Sequence, residues 1–154
     1  MVFAPSPGCF HALRLELRSE GLIRRETRTL ALERVGRTSG LMTPLYASAA
    51  DETFHVRAGA VTFFVGDDVV RAEAGDVVVA PAGAPHALRV ESPVARWLVV
   101  TDVASPARYD DFGLAFAPAD GEWTTAEDEA AVSAIAAANR ISVLGAPGAL
   151  PAAA

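Results

Sequence analysis

The chain has 154 residues, 51% of them hydrophobic and 21% charged, which is the size and make-up of one globular domain able to bury about 70% of its unfolded surface. A formal net charge of −6, with no basic cluster beyond the Arg24–Arg25 pair, argues against nucleic-acid binding, which needs a concentrated basic face. One cysteine, Cys9, excludes an intrachain disulfide framework. With neither a secretory signal nor a run near the ~18 apolar residues of a membrane span, a cytoplasmic protein without membrane contact is expected.

Residues 1–10, with Pro5, Pro7 and Gly8, read as an irregular lead-in. Period-two alternation then begins, the mark of a strand with one apolar face. Leu13, Leu15 and Leu17 share one face; Arg14, Glu16 and Arg18 share the other. A second strand is expected over 26–35, with Leu30 and Leu32 on its more apolar face. Glu52, Phe54 and Val56 alternate with Thr53, His55 and Arg57 up to a turn at Gly59. Val61, Phe63 and Val65 continue the pattern to the hairpin signal Gly66-Asp67-Asp68.

After the Gly75-Asp76 turn, Val77-Val78-Val79 is a short β-branched run, expected to be a strand buried on both faces. Pro81, Gly83 and Pro85 force a loop. His86, Leu88 and Val90 lie on one face of the next strand, and another runs from Trp97 to Thr101. Beyond Asp102 the texture changes. Thr125-Ala126-Glu127-Asp128 opens like a capped helix, and an Ala-rich helix with Val132, Ile135 and Ala136 on one stripe is expected over about 125–139. Many short strands joined by Gly and Pro turns, followed by one helix, give an all-β sandwich or barrel. A single domain over 11–145 is expected, with 146–154 as a flexible tail.

Two stretches carry a specific resemblance. Gly75, five residues, Pro81-x-Gly83, two residues and His86 resembles the second motif of the cupins. Tyr46-x-Ser48-x-x-x-Glu52, six residues and Gly59 has the frame of the first. Further along, Arg108-Tyr109-Asp110-Asp111-Phe112, the helix and Ile141–Pro147 resemble the tail of quercetin dioxygenase-like bacterial monocupins. The resemblance implies a cupin jelly-roll β-barrel with one C-terminal helix, and a homodimer, to which the alternating strand at Leu13–Leu17 could lend an open edge.

In metal-binding cupins, two His and one Glu from the first motif and one His from the second hold a divalent metal. The corresponding positions here are Tyr46, Ser48, Glu52 and His86. Glu52 and His86 match; Tyr46 and Ser48 stand where histidines are usual. A serine hydroxyl is a poor ligand and a phenol must first lose its proton, so no metal cofactor is expected. His55, three residues after Glu52, falls on the opposite face, and nothing in the sequence places His11 at the site.

Each of these residues also has a structural reading: His86 as a hydrogen-bonded relic, Glu52 as half of a salt bridge, Tyr46 as a core aromatic. The functional expectation is an enzyme of secondary metabolism that acts without metal on a hydrophobic aromatic or polyketide-like compound. His86, Glu52 and Tyr46 would form the acid–base set, with Ser48, Phe54, Phe63, Leu88 and Trp97 lining the substrate cavity. Two alternatives stand beside it. One is a quercetinase-like dioxygenase with Fe, Ni, Mn or Zn on His86, Glu52 and Tyr46; the other is a non-catalytic cupin that binds a small ligand.

Overall fold

The computed structural model describes residues 11–19, 27–36, 39–40, 42–102 and 126–152. The lead-in at 1–10, the Arg108–Phe112 segment and Thr125 lie outside these residues. Among the described residues, ten strands and one helix follow in chain order: β1 (His11–Ser19), β2 (Thr27–Gly36), β3 (Leu45–Ser48), β4 (Glu52–Ala58), β5 (Ala60–Val65), β6 (Asp68–Glu73), β7 (Val77–Ala80), β8 (His86–Val90), β9 (Ala95–Asp102), α1 (Ala126–Ala138) and β10 (Ile141–Gly145).

The strands form two five-stranded sheets, ordered β1-β2-β9-β4-β7 and β10-β3-β8-β5-β6. Every pairing between named strands is antiparallel. Alternation decides which side chains meet between the sheets. Phe54, Val56, Trp97 and Val99 from the first sheet and Val61, Phe63, Leu88 and Val90 from the second form one buried cluster. Such a layer, apolar from both sides, is what holds two facing sheets together. Helix α1 adds Ala136 to the cluster, with Ile135 packed against it.

The Val77–Val79 run departs from expectation. It forms β7, an edge of the first sheet. Val78 and Ala80 are buried, but Val77 and Val79 are each 52% exposed. The strand is covered on one face only, because the second sheet packs on the inner face of the first and Val77 and Val79 point to the outer one.

The tight turns fall where the motif glycines stand. Gly59 joins β4 to β5 at φ 69°, and a Cβ there would run into the Val94 carbonyl oxygen and the Ser92 hydroxyl. Only glycine meets both demands. Gly83 has φ 80° and donates its N–H to the Ser48 carbonyl at 2.7 Å, which ties the two motifs together. After β10 the chain turns again, with Ala149 N–H donating to the Ala146 carbonyl at 3.0 Å. No helix among the described residues is long and apolar enough to cross a membrane.

Candidate active site

The site gathers at one end of the sandwich, where β3 and β9 end and β4 and β8 begin. β3 and β8 pair through Tyr46 and His86, so two motif positions 40 residues apart become direct cross-strand neighbours. Their rings lie 4.1 Å apart between centroids, tilted by 56°. On the facing sheet Glu52 opens β4 between Ala80 of β7 and Thr101 of β9. Being at the inward parity, it points at His86 across the layer.

His86 Nε2 and Glu52 Oε2 are 2.7 Å apart. Both side chains are buried, with 2% and 0% exposure. The other ring nitrogen, Nδ1, lies 2.8 Å from the Ala84 carbonyl oxygen. A carbonyl can only accept, so Nδ1 carries a proton and donates it. The short Nε2–Oε2 contact then holds one further proton between imidazole and carboxyl. This mutual hydrogen bond explains how a carboxyl group and an imidazole are tolerated where water is excluded.

Other groups fix the rim. Ser48 is buried, and its hydroxyl accepts the Ala50 N–H at 3.2 Å. Asp51 accepts the Ala82 N–H on Oδ1 at 2.7 Å. Thr101 donates its hydroxyl to the Asp51 carbonyl at 2.9 Å. The Asp51–Ala82 and Gly83–Ser48 bonds latch residues 48–51 to Ala82 and Gly83, and the Thr101 bond ties Asp51 to β9. Asp51 and Thr101 did not stand out in the sequence. The only signal was an acidic turn residue beside Glu52 and a β-branched polar residue at the inward parity of β9.

The expected lining residues Phe54, Phe63, Leu88 and Trp97 are all buried in the core. Phe54 lies edge-on to His86, with ring centroids 6.0 Å apart, and 5.1 Å from Phe63. His55 lies on the outer face of β4, half-buried, away from Glu52. The side chain of His11 lies outside the described residues.

Residues 39–101 match the family model described as Cupin domain. A conserved uncharacterised protein from Klebsiella pneumoniae with a double-stranded β-helix domain superimposes with a TM-score of 0.52 at 17% identity, over 65% of this chain and 77% of that one. The fold is a cupin barrel. Two further structural neighbours are 26% identical. Protein TT1209 of Thermus thermophilus has a TM-score of 0.46 over 58% of this chain and 82% of its own. The DMSP lyase DddQ of Ruegeria pomeroyi DSS-3 has a TM-score of 0.48 over 62% of this chain. The present chain spans 48% of that lyase. No curated protein sequence gives a significant match.

The donor set can be weighed against the divalent metal that cupins commonly hold. A transition-metal site normally takes three or more protein ligands. Among the described residues, no three His, Cys, Asp or Glu side chains converge. The motif positions supply one imidazole, one carboxylate, a phenol and a hydroxyl already bonded to backbone. This set does not fit such a site.

Proposed function

We propose that this cupin is an enzyme that moves protons on a small hydrophobic molecule without a metal. The observation that carries the reading is the 2.7 Å bond between His86 Nε2 and Glu52 Oε2, with Nδ1 anchored on the Ala84 carbonyl. The anchor on Nδ1 directs Nε2 at Glu52, so that proton exchange by the imidazole runs through the carboxyl group. The dyad takes a proton from one position of the substrate and returns one at another. His86 carries the proton, Glu52 orients the ring and compensates its charge, and the Tyr46 hydroxyl donates to the oxyanion that develops on a carbonyl. Cyclisation, isomerisation, dehydration and epimerisation all fit this scheme, since each conserves electrons and needs no external oxidant. An aromatic or polyketide-like substrate suits the apolar surroundings of Phe54, Phe63, Leu88 and Trp97.

The test is turnover of the full chain on a panel of aromatic and polyketide-like carbonyl compounds in chelator-treated buffer. Activity should survive chelation and fall by about 10²-fold or more in His86→Ala and in Glu52→Ala, the contribution of a general acid or base. Full activity in both variants overturns the mechanism.

A further inference from the structure

Asp51 stands between the two halves of the dyad. It directly precedes Glu52, the first residue of β4, so its backbone runs straight into the carboxyl member of the pair. Its side chain reaches toward the other member. Oδ1 accepts the Ala82 N–H at 2.7 Å, 31 residues along the chain.

Ala82 belongs to a four-residue turn that leads into His86. The Ala84 N–H closes this turn by donating to the Pro81 carbonyl at 3.0 Å, and its third residue, Gly83, has φ 80°. Ala84, the last residue of the turn, supplies the carbonyl that meets His86 Nδ1 at 2.8 Å. Little backbone freedom remains between turn and histidine. The ring of Pro85 locks its own φ, and the residue before a proline is held to extended geometry. The direction of the Ala84 carbonyl therefore follows the placement of the turn.

The segment is tied to its surroundings at several points. The Gly83 N–H donates to the Ser48 carbonyl at 2.7 Å, and the Pro85 carbonyl accepts the Gly66 N–H at 2.8 Å. Both of these bonds run from backbone to backbone. The Asp51 bond is made by a side chain, and the Thr101 hydroxyl steadies that residue by donating to its carbonyl at 2.9 Å.

We infer that Asp51 is a positioning residue for the dyad. By holding the Pro81–Ala84 turn against the start of β4, its carboxylate sets how the Ala84 carbonyl meets Nδ1, and with it the aim of Nε2 at Glu52. The partner of one ring nitrogen decides which nitrogen carries the proton, so a residue that places this partner sets the tautomer without being a catalytic residue. The inference deepens the proton-transfer reading, and rests on it only for the use to which the dyad is put.

The experiment is NMR of the full chain, recording the imidazole nitrogens of His86 and the exchange of its Nδ1 proton with water, with the signals assigned by their loss in His86→Gln. Asp51→Ala should speed that exchange roughly fivefold, the effect of losing one hydrogen bond on a local opening, and shift the ring toward a mixture of tautomers. Asp51→Asn, whose amide oxygen accepts the same N–H, should restore the parent signals. Ser92→Ala removes the hydroxyl that accepts the Ala60 N–H at 3.0 Å beyond the far end of β4, and should leave His86 unchanged. Thr101→Val loosens Asp51 without touching its carboxylate; it should give the same change in smaller measure, and keeps the inference testable if the alanine variant does not fold. Parent-like His86 signals in Asp51→Ala, no recovery in Asp51→Asn, or an equal change in Ser92→Ala overturns the assignment. None of these readouts needs turnover, so a catalytically silent parent with the expected His86 response contradicts the proposed function and supports the role of Asp51.

Discussion

His86 Nε2 and Glu52 Oε2, 34 residues apart in the chain, meet at 2.7 Å inside the barrel. In a metal-binding cupin both groups would direct lone pairs at an ion; here they hydrogen-bond to each other. Each is therefore a close polar partner of the other in a closed site, and removing one takes away a buried hydrogen bond. Glu52→Ala and His86→Ala should each destabilise the fold by about 2–4 kcal/mol. The double variant should cost less than the sum, with a coupling of about 1–3 kcal/mol. Urea denaturation of the four proteins measures it, and strict additivity would deny the interaction.

The rim latch should be separable from the core. Asp51→Ala removes the acceptor of the Ala82 N–H, and Thr101→Val removes the donor to the Asp51 carbonyl. Each should cost about 1 kcal/mol. Hydrogen exchange should quicken at Ala82 and Gly83 while core amides such as Val99 remain protected. Unchanged exchange at 82–83 would mean the loops are held by other contacts.

Two glycines with similar backbone angles should behave differently. Gly59 and Gly66 both have positive φ, 69° and 55°. A Cβ at Gly59 meets Val94 and Ser92, whereas at Gly66 it meets nothing within 4 Å. Gly66→Ala should cost only the conformational penalty, about 1–2 kcal/mol. Gly59→Ala should cost distinctly more, because the β4–β5 turn must shift as well. Thermal melts of the two variants rank them.

Glu91 supplies a pH-dependent term. The Thr62 hydroxyl bonds its carboxylate, and the Arg89 guanidinium lies 2.7 Å away; together they hold its pKa below the ordinary carboxylate value. A carboxyl whose pKa is lowered by folding stabilises the folded state above its unfolded pKa. That contribution is lost as pH falls through the lowered folded value. Glu91→Gln should therefore melt earlier than the parent at pH 7, and the gap should close in strongly acidic buffer. A gap independent of pH would point to packing instead of charge.

Much of the fold was legible because alternation and turn chemistry are local. β4 and β8 bury the residues their own patterns assign, whereas β5 buries Thr62 and Phe64 as well and leaves Val65 only partly buried; Gly59 and Gly83 occupy the turns the motif frame requires. The edge position of β7 was not legible. Three valines in a row describe a strand, but whether its second face is covered depends on what packs outside the sheet, which no local pattern encodes. For the site, the motifs located Glu52 and His86, and the structure supplied the relationship between them. Motif spacing brings two groups to one place without saying whether they converge on an ion or on each other.

The most direct test of the central claim is elemental analysis of the full chain, purified from metal-replete medium without chelators and again after incubation with Fe, Ni, Mn or Zn followed by desalting. If Glu52 and His86 hold each other in place of an ion, metal content stays well below one per chain in every sample, and a Glu52→Ala/His86→Ala double variant gives the same result. Stoichiometric metal in the parent protein, lost in that double variant, would contradict the account.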